Sequence, residues 1–176
     1  MTDFTIHTKD NAPENSKQLL DKAEKAVGFI PNLFGVMAAS PQLLEAYLTL
    51  DNLAKNLSLN STEVTVVWQT INSTNQCHYC IPAHTAIAKQ MKVSDRVNDA
   101  VINDKSLEDN KLEALRSFTK AIIQKQGKVD EVGVDKFLSA GYTQKQILEV
   151  VMLVGQKTLS NYTNYFAQTP IDAQFK

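Results

Sequence analysis

The chain of 176 residues is 43% hydrophobic and 21% charged, and its formal net charge is −1 at pH 7. This length and composition are typical of one globular domain, so we expect a single domain spanning residues 1–176. The near-neutral charge and the lack of any apolar stretch of roughly 18 residues exclude strong attraction to nucleic acid and passage through a membrane.

Hydrophobic periodicity predicts helices through the first third of the chain. Residues 1–12 carry no such pattern and are expected to form an extended arm. Beyond the arm, apolar side chains recur at helical spacing, and Gly28 and the pair Ser40-Pro41 stand where helices should end or begin. The predicted helices span residues 16–27, 31–38 and 41–53.

The segment from residue 63 to 76 gives two conflicting signals. Its many β-branched side chains favour a strand, whereas its apolar residues recur at the spacing of one helix face. Asn60 and Glu63 stand at the positions of an N-cap and its capping-box partner, and this pair favours a helix. The opposite face of that helix then carries a polar stripe made of Thr65, Gln69, Asn72 and Gln76.

The remainder of the chain also has helical periodicity. The last predicted helix follows Thr143, with Gln146 as its capping partner, and its first half is apolar nearly all round. A helix of that kind is buried in the core or in a subunit interface. Since no repeat and no strand ladder is evident, the predicted fold class is all-α. The predicted helices span residues 83–90, 94–102, 111–126, 130–139 and 144–165.

The cysteines of the chain are Cys77 and Cys80, and His84 follows them. Cysteines three residues apart cannot link distant segments. We expect a cytoplasmic protein because the signal-peptide pattern is lacking, and in that compartment such a pair is more often catalytic, redox-sensing or metal-binding. On a helix the three side chains share one face, and Pro82 suits a first turn, where unpaired amides stabilise a thiolate. Because a histidine one turn further on can accept or return a proton, the pattern predicts a reactive dithiol.

Two other interpretations compete with redox chemistry. A structural zinc site needs about four ligands, and Cys77, Cys80 and His84 supply three, because His78 faces away from them. Alternatively, the cysteines are small buried apolar residues without chemistry. We expect neither a metal nor a cofactor.

Three parts of the sequence carry a recognisable pattern. They are residues 75–80 with His84, residues 29–34 leading into 40–41, and residues 157–164. Together they resemble the carboxymuconolactone decarboxylase family, in its AhpD-like alkylhydroperoxidase branch. The resemblance therefore spans nearly the whole chain.

The resemblance implies an AhpD-like helical bundle that forms a homo-oligomer and reduces a small-molecule hydroperoxide without metal or flavin. In such enzymes the second cysteine of the motif attacks the peroxide and becomes a sulfenic acid. The first cysteine then condenses with it to a disulfide, which an external thiol reduces. By this correspondence Cys80 is the peroxidatic residue, Cys77 the resolving residue and His84 part of a proton relay. A thiol this close captures a sulfenic acid before further oxidation.

One position departs from the pattern of the family. The implied relay includes a glutamate twelve residues before the first cysteine, where this chain has Thr65. Glu63 lies about 200° around the helix from that position, so it cannot replace the carboxylate without a local shift. Because threonine is no general base near neutral pH, we expect weak peroxidase activity or a role closer to thiol–disulfide exchange.

Two further functions stay open at this point. The family takes its name from a decarboxylase, so a cofactor-free decarboxylase or lyase acting on a lactone acid is one alternative, although that reaction needs no dithiol. The other is a non-enzymatic redox sensor, in which oxidation of Cys77 and Cys80 changes a helix interface. The sequence identifies neither the physiological peroxide nor the thiol reductant.

Overall fold

In the computed structural model, which describes residues 3–176, the chain is a bundle of α-helices followed by a short 3-10 helix at Ala173–Phe175. The helices begin and end within a few residues of the predicted positions, and the described residues contain no β-strand, so the predicted all-α fold class is confirmed. The helices are α1 (Glu14–Val27), α2 (Asn32–Met37), α3 (Pro41–Ala54), α4 (Ser61–Thr74), α5 (Cys80–Gln90), α6 (Asp95–Ile102), α7 (Asn110–Gln124), α8 (Glu131–Ser139) and α9 (Gln144–Ala167).

Helix α4 has the strand-prone sequence, and its cap and its burial explain why it is helical. The Asn60 side chain accepts hydrogen bonds from the amides of Thr62 and Glu63, and the Glu63 carboxylate accepts one from the Asn60 amide at 2.9 Å. This capping box satisfies amides that helix formation would otherwise leave unpaired. Every residue from Glu63 to Asn72 is buried, so tertiary packing outweighs the intrinsic preference of the β-branched residues.

Both cysteines belong to one of the two hydrophobic clusters of the protein. Helix α4 is central and packs against α5, α6, α7 and α9. One cluster fills the space around α4, α7, α8 and α9 and includes Trp68 and Phe118. The other contains Leu20 of α1, Met37 of α2 and Leu44 of α3 together with both cysteines. The dithiol is therefore surrounded by packed helices rather than carried on a surface loop.

The N-terminal arm packs against α2. Residues 1–2 of the predicted arm lie outside the described residues; from residue 3 to Pro13 the chain is not helical. The amide of His7 donates a hydrogen bond to the carbonyl of Gly35 at 3.0 Å. A β-carbon on Gly35 would lie 2.7 Å from Cγ2 of Ile6 and 2.8 Å from the carbonyl oxygen of His7, so this close approach requires glycine.

Helix α9, the longest helix, has two different faces. Its buried face includes the polar side chains of Gln156, Lys157 and Asn164, whose exposed fraction is 0%. Its opposite face is exposed and apolar. No helix of residues 3–176, α9 included, is both long enough and apolar enough to span a membrane. The exposed large apolar residues of α9 are Leu148, Val151, Tyr162, Tyr165 and Phe166.

Candidate dithiol site

A tight turn between α4 and α5 brings the two cysteines together. Gln76 adopts a left-handed conformation with φ 51°, and the amide of Cys77 donates to the carbonyl of Asn72 at 2.9 Å. Cys80 is the first residue of α5, and its amide donates to Sγ of Cys77 at 3.3 Å. Both thiols are free and buried. Cys80 therefore lies at a helix N-terminus, as predicted, whereas Cys77 lies in the preceding turn; α5 begins three residues earlier than the predicted residue 83.

Part of the polar stripe predicted on α4 holds the first turn of α5. The Gln69 side chain donates to the carbonyl of Ile81 at 3.2 Å, and the Asn72 side chain donates to the carbonyl of Cys80 at 3.4 Å. Asn161 of α9 donates in turn to the side-chain oxygen of Asn72 at 3.1 Å. Buried amides thus fix the start of α5 against both α4 and α9.

Helix α9 places three polar side chains around Cys80. The side-chain amide of Asn164 donates to Sγ of Cys80 at 3.2 Å, and Oγ of Ser160 lies 3.8 Å from the same sulfur. One turn earlier, Nζ of Lys157 lies 2.7 Å from Nε2 of His84. Hydrogen-bond donors directed at a sulfur stabilise its anionic form more than its neutral form.

His84 is a neutral acceptor in this site. Burial, and then the charge of Lys157, hold its pKa well below the usual value. Because the Lys157 ammonium can only donate, Nε2 of His84 accepts and Nδ1 carries the proton. Among the described residues Nδ1 has no hydrogen-bond partner, and the edge of the imidazole packs on Trp68 with ring centroids 4.8 Å apart.

The two sulfurs are electrostatically unequal. Burial alone would raise the pKa of Cys80, but the hydrogen bond from Cys77, the charge of Lys157 and the hydrogen bonds with Ser160 and Asn164 lower it to about 5. The pKa of Cys77 is raised, first by its hydrogen bond to Cys80 and then by burial. Near neutral pH the shared proton therefore stays on Cys77, and Cys80 is the thiolate.

Lys157 is the counter-ion of this thiolate. Burial would lower the pKa of the ammonium, yet the negative charge of Cys80, with smaller contributions from Tyr47 and Cys77, raises it overall. Lys157 has no exposed surface. A buried ammonium is stable only when a partner compensates its charge, and here the Cys80 sulfur provides that compensation.

A cavity of about 830 Å³ opens onto Cys80, His84 and Lys157. Its walls come from the end of α1 and the loop that follows, from α2, α3, α4 and α5, from Lys157 of α9 and from the 3-10 helix at the C-terminus. Cys80 lines this cavity and Cys77 does not. The aromatic residues of the lining are Phe29, Phe34, Tyr47, Trp68, Tyr79 and Phe175.

The structure brings Cys77, Cys80 and His84 together, whereas the side chains of Thr65 and Glu63 bond to other residues. The Thr65 hydroxyl donates to the carbonyl of Ser61 at 2.8 Å. The Glu63 carboxylate caps α4 and forms an ion pair with Lys111 at 3.2 Å. Since neither residue lines the cavity, the partner of His84 is a lysine of α9 and not a carboxylate of α4.

Lys157, Ser160 and Asn164 are functional candidates that the motif analysis missed. They lie within residues 157–164, which contributed to the family resemblance, but no role was assigned to them. Polar residues at i, i+3 and i+7 share one helix face, and in a buried helix such a face indicates a polar site. This spacing is the sequence signal from which the polar face of α9 could have been predicted.

Two remaining predictions concern His78 and metal binding. His78 faces away from the sulfurs, as expected, and its Nε2 donates to the carbonyl of Thr169 at 2.9 Å. Within residues 3–176 no three His, Cys, Asp or Glu side chains cluster closely enough to hold a metal ion.

Solved structures with the same fold include several AhpD-like proteins. An AhpD-core, uncharacterized peroxidase-related protein from Ralstonia eutropha JMP134 has a TM-score of 0.86 and 19% sequence identity, covering 98% of this chain and 93% of that chain. A peroxidase-related protein from Silicibacter sp. TM1040 has a TM-score of 0.81 and 16% identity, covering 99% and 95%. The debrominase Bmp8, as a variant in complex with 2,3,4-tribromopyrrole, has a TM-score of 0.82 and 18% identity, covering 99% and 94%.

These likenesses confirm the predicted AhpD-like fold over nearly the entire chain. No protein-family model and no curated protein matches the sequence. The neighbours are described by different activities: one is a debrominase, and others are peroxidase-related. The shared fold therefore leaves the reaction to be argued from the site itself.

Proposed function

We propose that this chain is a thiol-dependent, peroxidase-like oxidoreductase of the AhpD-like type, in which Cys80 reduces an organic hydroperoxide. The observation that carries the proposal is the environment of Cys80, which lines the cavity together with the buried Lys157 and whose sulfur accepts a hydrogen bond from Asn164. A low-pKa thiolate with a second thiol in contact is the arrangement that two-electron thiol chemistry requires. The reaction needs neither a metal nor a cofactor.

In the first step the Cys80 thiolate attacks the terminal oxygen of the hydroperoxide. The O–O bond breaks, sulfur is oxidised to a sulfenic acid, and the alkoxide leaves with both electrons of that bond. Lys157 lines the cavity and bears a proton, so it neutralises the alkoxide to an alcohol. His84 keeps the ammonium in place through its neutral Nε2.

In the second step Cys77 resolves the sulfenic acid. Its thiol attacks the sulfur of Cys80, a disulfide forms, and the sulfenic oxygen leaves as water after taking up the thiol proton. Two molecules of an external thiol then reduce the disulfide and are themselves oxidised to a disulfide, which restores both cysteines. Because Cys77 keeps its proton near neutral pH, it does not compete with Cys80 for the peroxide.

Steady-state peroxide consumption with dithiothreitol as reductant tests this proposal. The wild type is expected to consume cumene hydroperoxide, and Cys80→Ser should lose turnover entirely. Without an external thiol, Cys77→Ser should reduce one equivalent of peroxide and stop with Cys80 as a sulfenic acid, which added dithiothreitol then reduces directly. Equal turnover in Cys80→Ser and the wild type would overturn the assignment of the nucleophile.

Reductive dehalogenation of an aromatic ring is a second candidate, favoured by the aromatic lining of the cavity and by the debrominase among the structural neighbours. Replacing bromine by hydrogen consumes two electrons, which the conversion of Cys77 and Cys80 to a disulfide supplies. Because Cys80 is already a thiolate, the Cys77 thiol supplies the one proton that replaces bromine, and the products are the debrominated ring, bromide and the disulfide. The ammonium of Lys157 passes this proton to the ring carbon.

Bromide release separates the two candidates. With 2,3,4-tribromopyrrole and dithiothreitol, the second candidate predicts stoichiometric bromide that is absent in Cys80→Ser. Peroxide turnover without bromide release would support the peroxidase alone. Bromide release without peroxide turnover would reverse the preference.

A further inference from the structure

The segment that follows α9 returns to the dithiol and closes one side of the cavity. Gln168 adopts a left-handed conformation with φ 48°, which turns the chain back at the end of the helix. Thr169 and Asp172 are then buried, with exposed fractions of 0% and 7%. Gln174 and Phe175 line the cavity that contains Cys80.

The two residues between the cysteines hold this segment. His78 donates to the carbonyl of Thr169 at 2.9 Å, and the hydroxyl of Tyr79 donates to the carboxylate of Asp172. The same carboxylate accepts the amide of Asn32, at the start of α2, at 3.0 Å. The C-terminal segment is therefore joined by its buried part to both the cysteine turn and α2.

Phe175 completes an aromatic wall at the end of this connection. Its ring packs edge-on against Phe29 and Tyr79, with centroids 5.7 Å and 6.0 Å away. Phe29 belongs to the loop after α1 and Phe175 to the C-terminal segment, so the wall brings together two segments that are far apart in the sequence. A side chain in such a position limits the volume available beside Cys80.

Resting on the proposed reduction of hydroperoxides, we propose that Phe175 is a specificity-determining residue and that Asp172 positions it. The wall restricts the site to compact apolar hydroperoxides and disfavours long-chain ones. Asp172 touches no substrate and acts through the segment that it anchors to Tyr79 and Asn32.

A compact and a long-chain hydroperoxide test whether the wall limits substrate size. Cumene hydroperoxide and a linoleic acid hydroperoxide are compared in the wild type, in Phe175→Ala and in Asp172→Asn. The ratio of kcat/KM for the long peroxide to that for the compact one should rise about tenfold in Phe175→Ala, and in the same direction in Asp172→Asn. Phe4→Ala, which removes a phenyl ring that does not line the cavity, should leave the ratio unchanged.

Alkylation of Cys80 tests the role of Phe175 independently of the proposed peroxidase activity. The reduced protein is treated with N-ethylmaleimide or with pyrenylmaleimide, and peptide masses locate the adduct on Cys80. If Phe175 forms the wall, Phe175→Ala should raise the rate of alkylation by pyrenylmaleimide relative to that by N-ethylmaleimide. This increase without any peroxide turnover would support the wall and refute the peroxidase. Unchanged size ratios in both assays would overturn the role of Phe175.

Discussion

The charge on the Cys80 sulfur depends on side chains that reach it from different parts of the chain. Cys77 approaches from the preceding turn, whereas Lys157 and Asn164 come from α9, about eighty residues later in the sequence. The short spacing within the motif identified the dithiol, because local spacing alone places two cysteines in contact. No local pattern could identify Lys157 as the partner of His84, since that pairing exists only after α5 and α9 have packed.

Replacing Lys157 with methionine should raise the pKa of Cys80. The wild-type thiolate has a pKa of about 5, so its alkylation rate should stay constant from neutral pH down to about pH 6 and then fall. Removing the neighbouring cation favours the protonated thiol, and the midpoint should move upward by about 1–3 pH units. The measurement is the pH profile of iodoacetamide alkylation of Cys80, with Lys128→Met as an exposed-lysine control. An unshifted midpoint in Lys157→Met would show that the ammonium does not stabilise the thiolate.

Thr65→Glu is expected to increase peroxide turnover. Trp68 contacts the His84 imidazole, and position 65 lies three residues earlier on α4, on the same side of the helix. A carboxylate reaching from there would accept a hydrogen bond from Nδ1 of His84, which has no partner among the described residues. Losing one positioned acid or base costs about 10²–10⁴ in rate, so even a partial gain is measurable. Thr65→Gln is the neutral control; a gain of equal size in both variants, or none in Thr65→Glu, would contradict the relay.

Helix α4 shows that periodicity and capping outweigh the strand preference of individual residues. Its β-branched residues favour a strand, yet its apolar periodicity and the Asn60–Glu63 capping box predicted the observed helix. Helix α5 begins at Cys80, three residues before the predicted start at residue 83. Its N-terminus has no side-chain cap, so the sequence carries no capping signal there.

Asn60→Ala should lower the free energy of unfolding by about 1 kcal/mol. The substitution removes the acceptor for the amides of Thr62 and Glu63 at the start of α4. Urea unfolding followed by circular dichroism measures the change. Ser61→Ala, at the first helical position beside the cap, is the control and should change stability by much less. Equal stabilities of Asn60→Ala and the wild type would mean that packing alone sets the start of α4.

Helix α9 exposes large apolar side chains to solvent, which a monomer does not explain. No charged residue is exposed between Leu148 and Phe166, and Gly155, near the middle, has open space where a β-carbon would lie. A 24-residue helix is about 36 Å long, so this uncharged face is an extended surface. The sequence predicted that the first half of the helix is buried in the core or in a subunit interface; the core covers one face only. We therefore propose that a second copy of the chain covers the other, in keeping with the expected homo-oligomer.

Light scattering during size-exclusion chromatography should show a homo-oligomer whose stability depends on α9. Val151→Lys places a charge within the apolar face and should shift the protein toward monomer. Val132→Lys is the matched control, because Val132 of α8 is exposed to 64% against 51% for Val151. A monomeric wild type, or equal shifts in the two variants, would contradict the α9 interface.

The fold was more accessible from the sequence than the complete site. Periodicity and caps are local properties, and they predicted the all-α architecture and most helix ends. The cavity, by contrast, combines the loop after α1 with α3, α4, α5, Lys157 of α9 and the C-terminal Phe175, and only tertiary packing brings these segments together. The partner of His84 and the C-terminal wall therefore required the structure.

The intact mass of the reduced protein after one equivalent of cumene hydroperoxide shows whether Cys77 and Cys80 form a disulfide when Cys80 reduces the peroxide. The wild type should lose a pair of hydrogens and both titratable thiols without gaining oxygen, because Cys77 captures the sulfenic acid formed on Cys80. Cys77→Ser should instead gain one oxygen on Cys80, trapped by dimedone. A wild type that keeps both thiols, or that gains oxygen at methionine alone, would contradict the assignment of Cys77 and Cys80 as a peroxide-reducing pair.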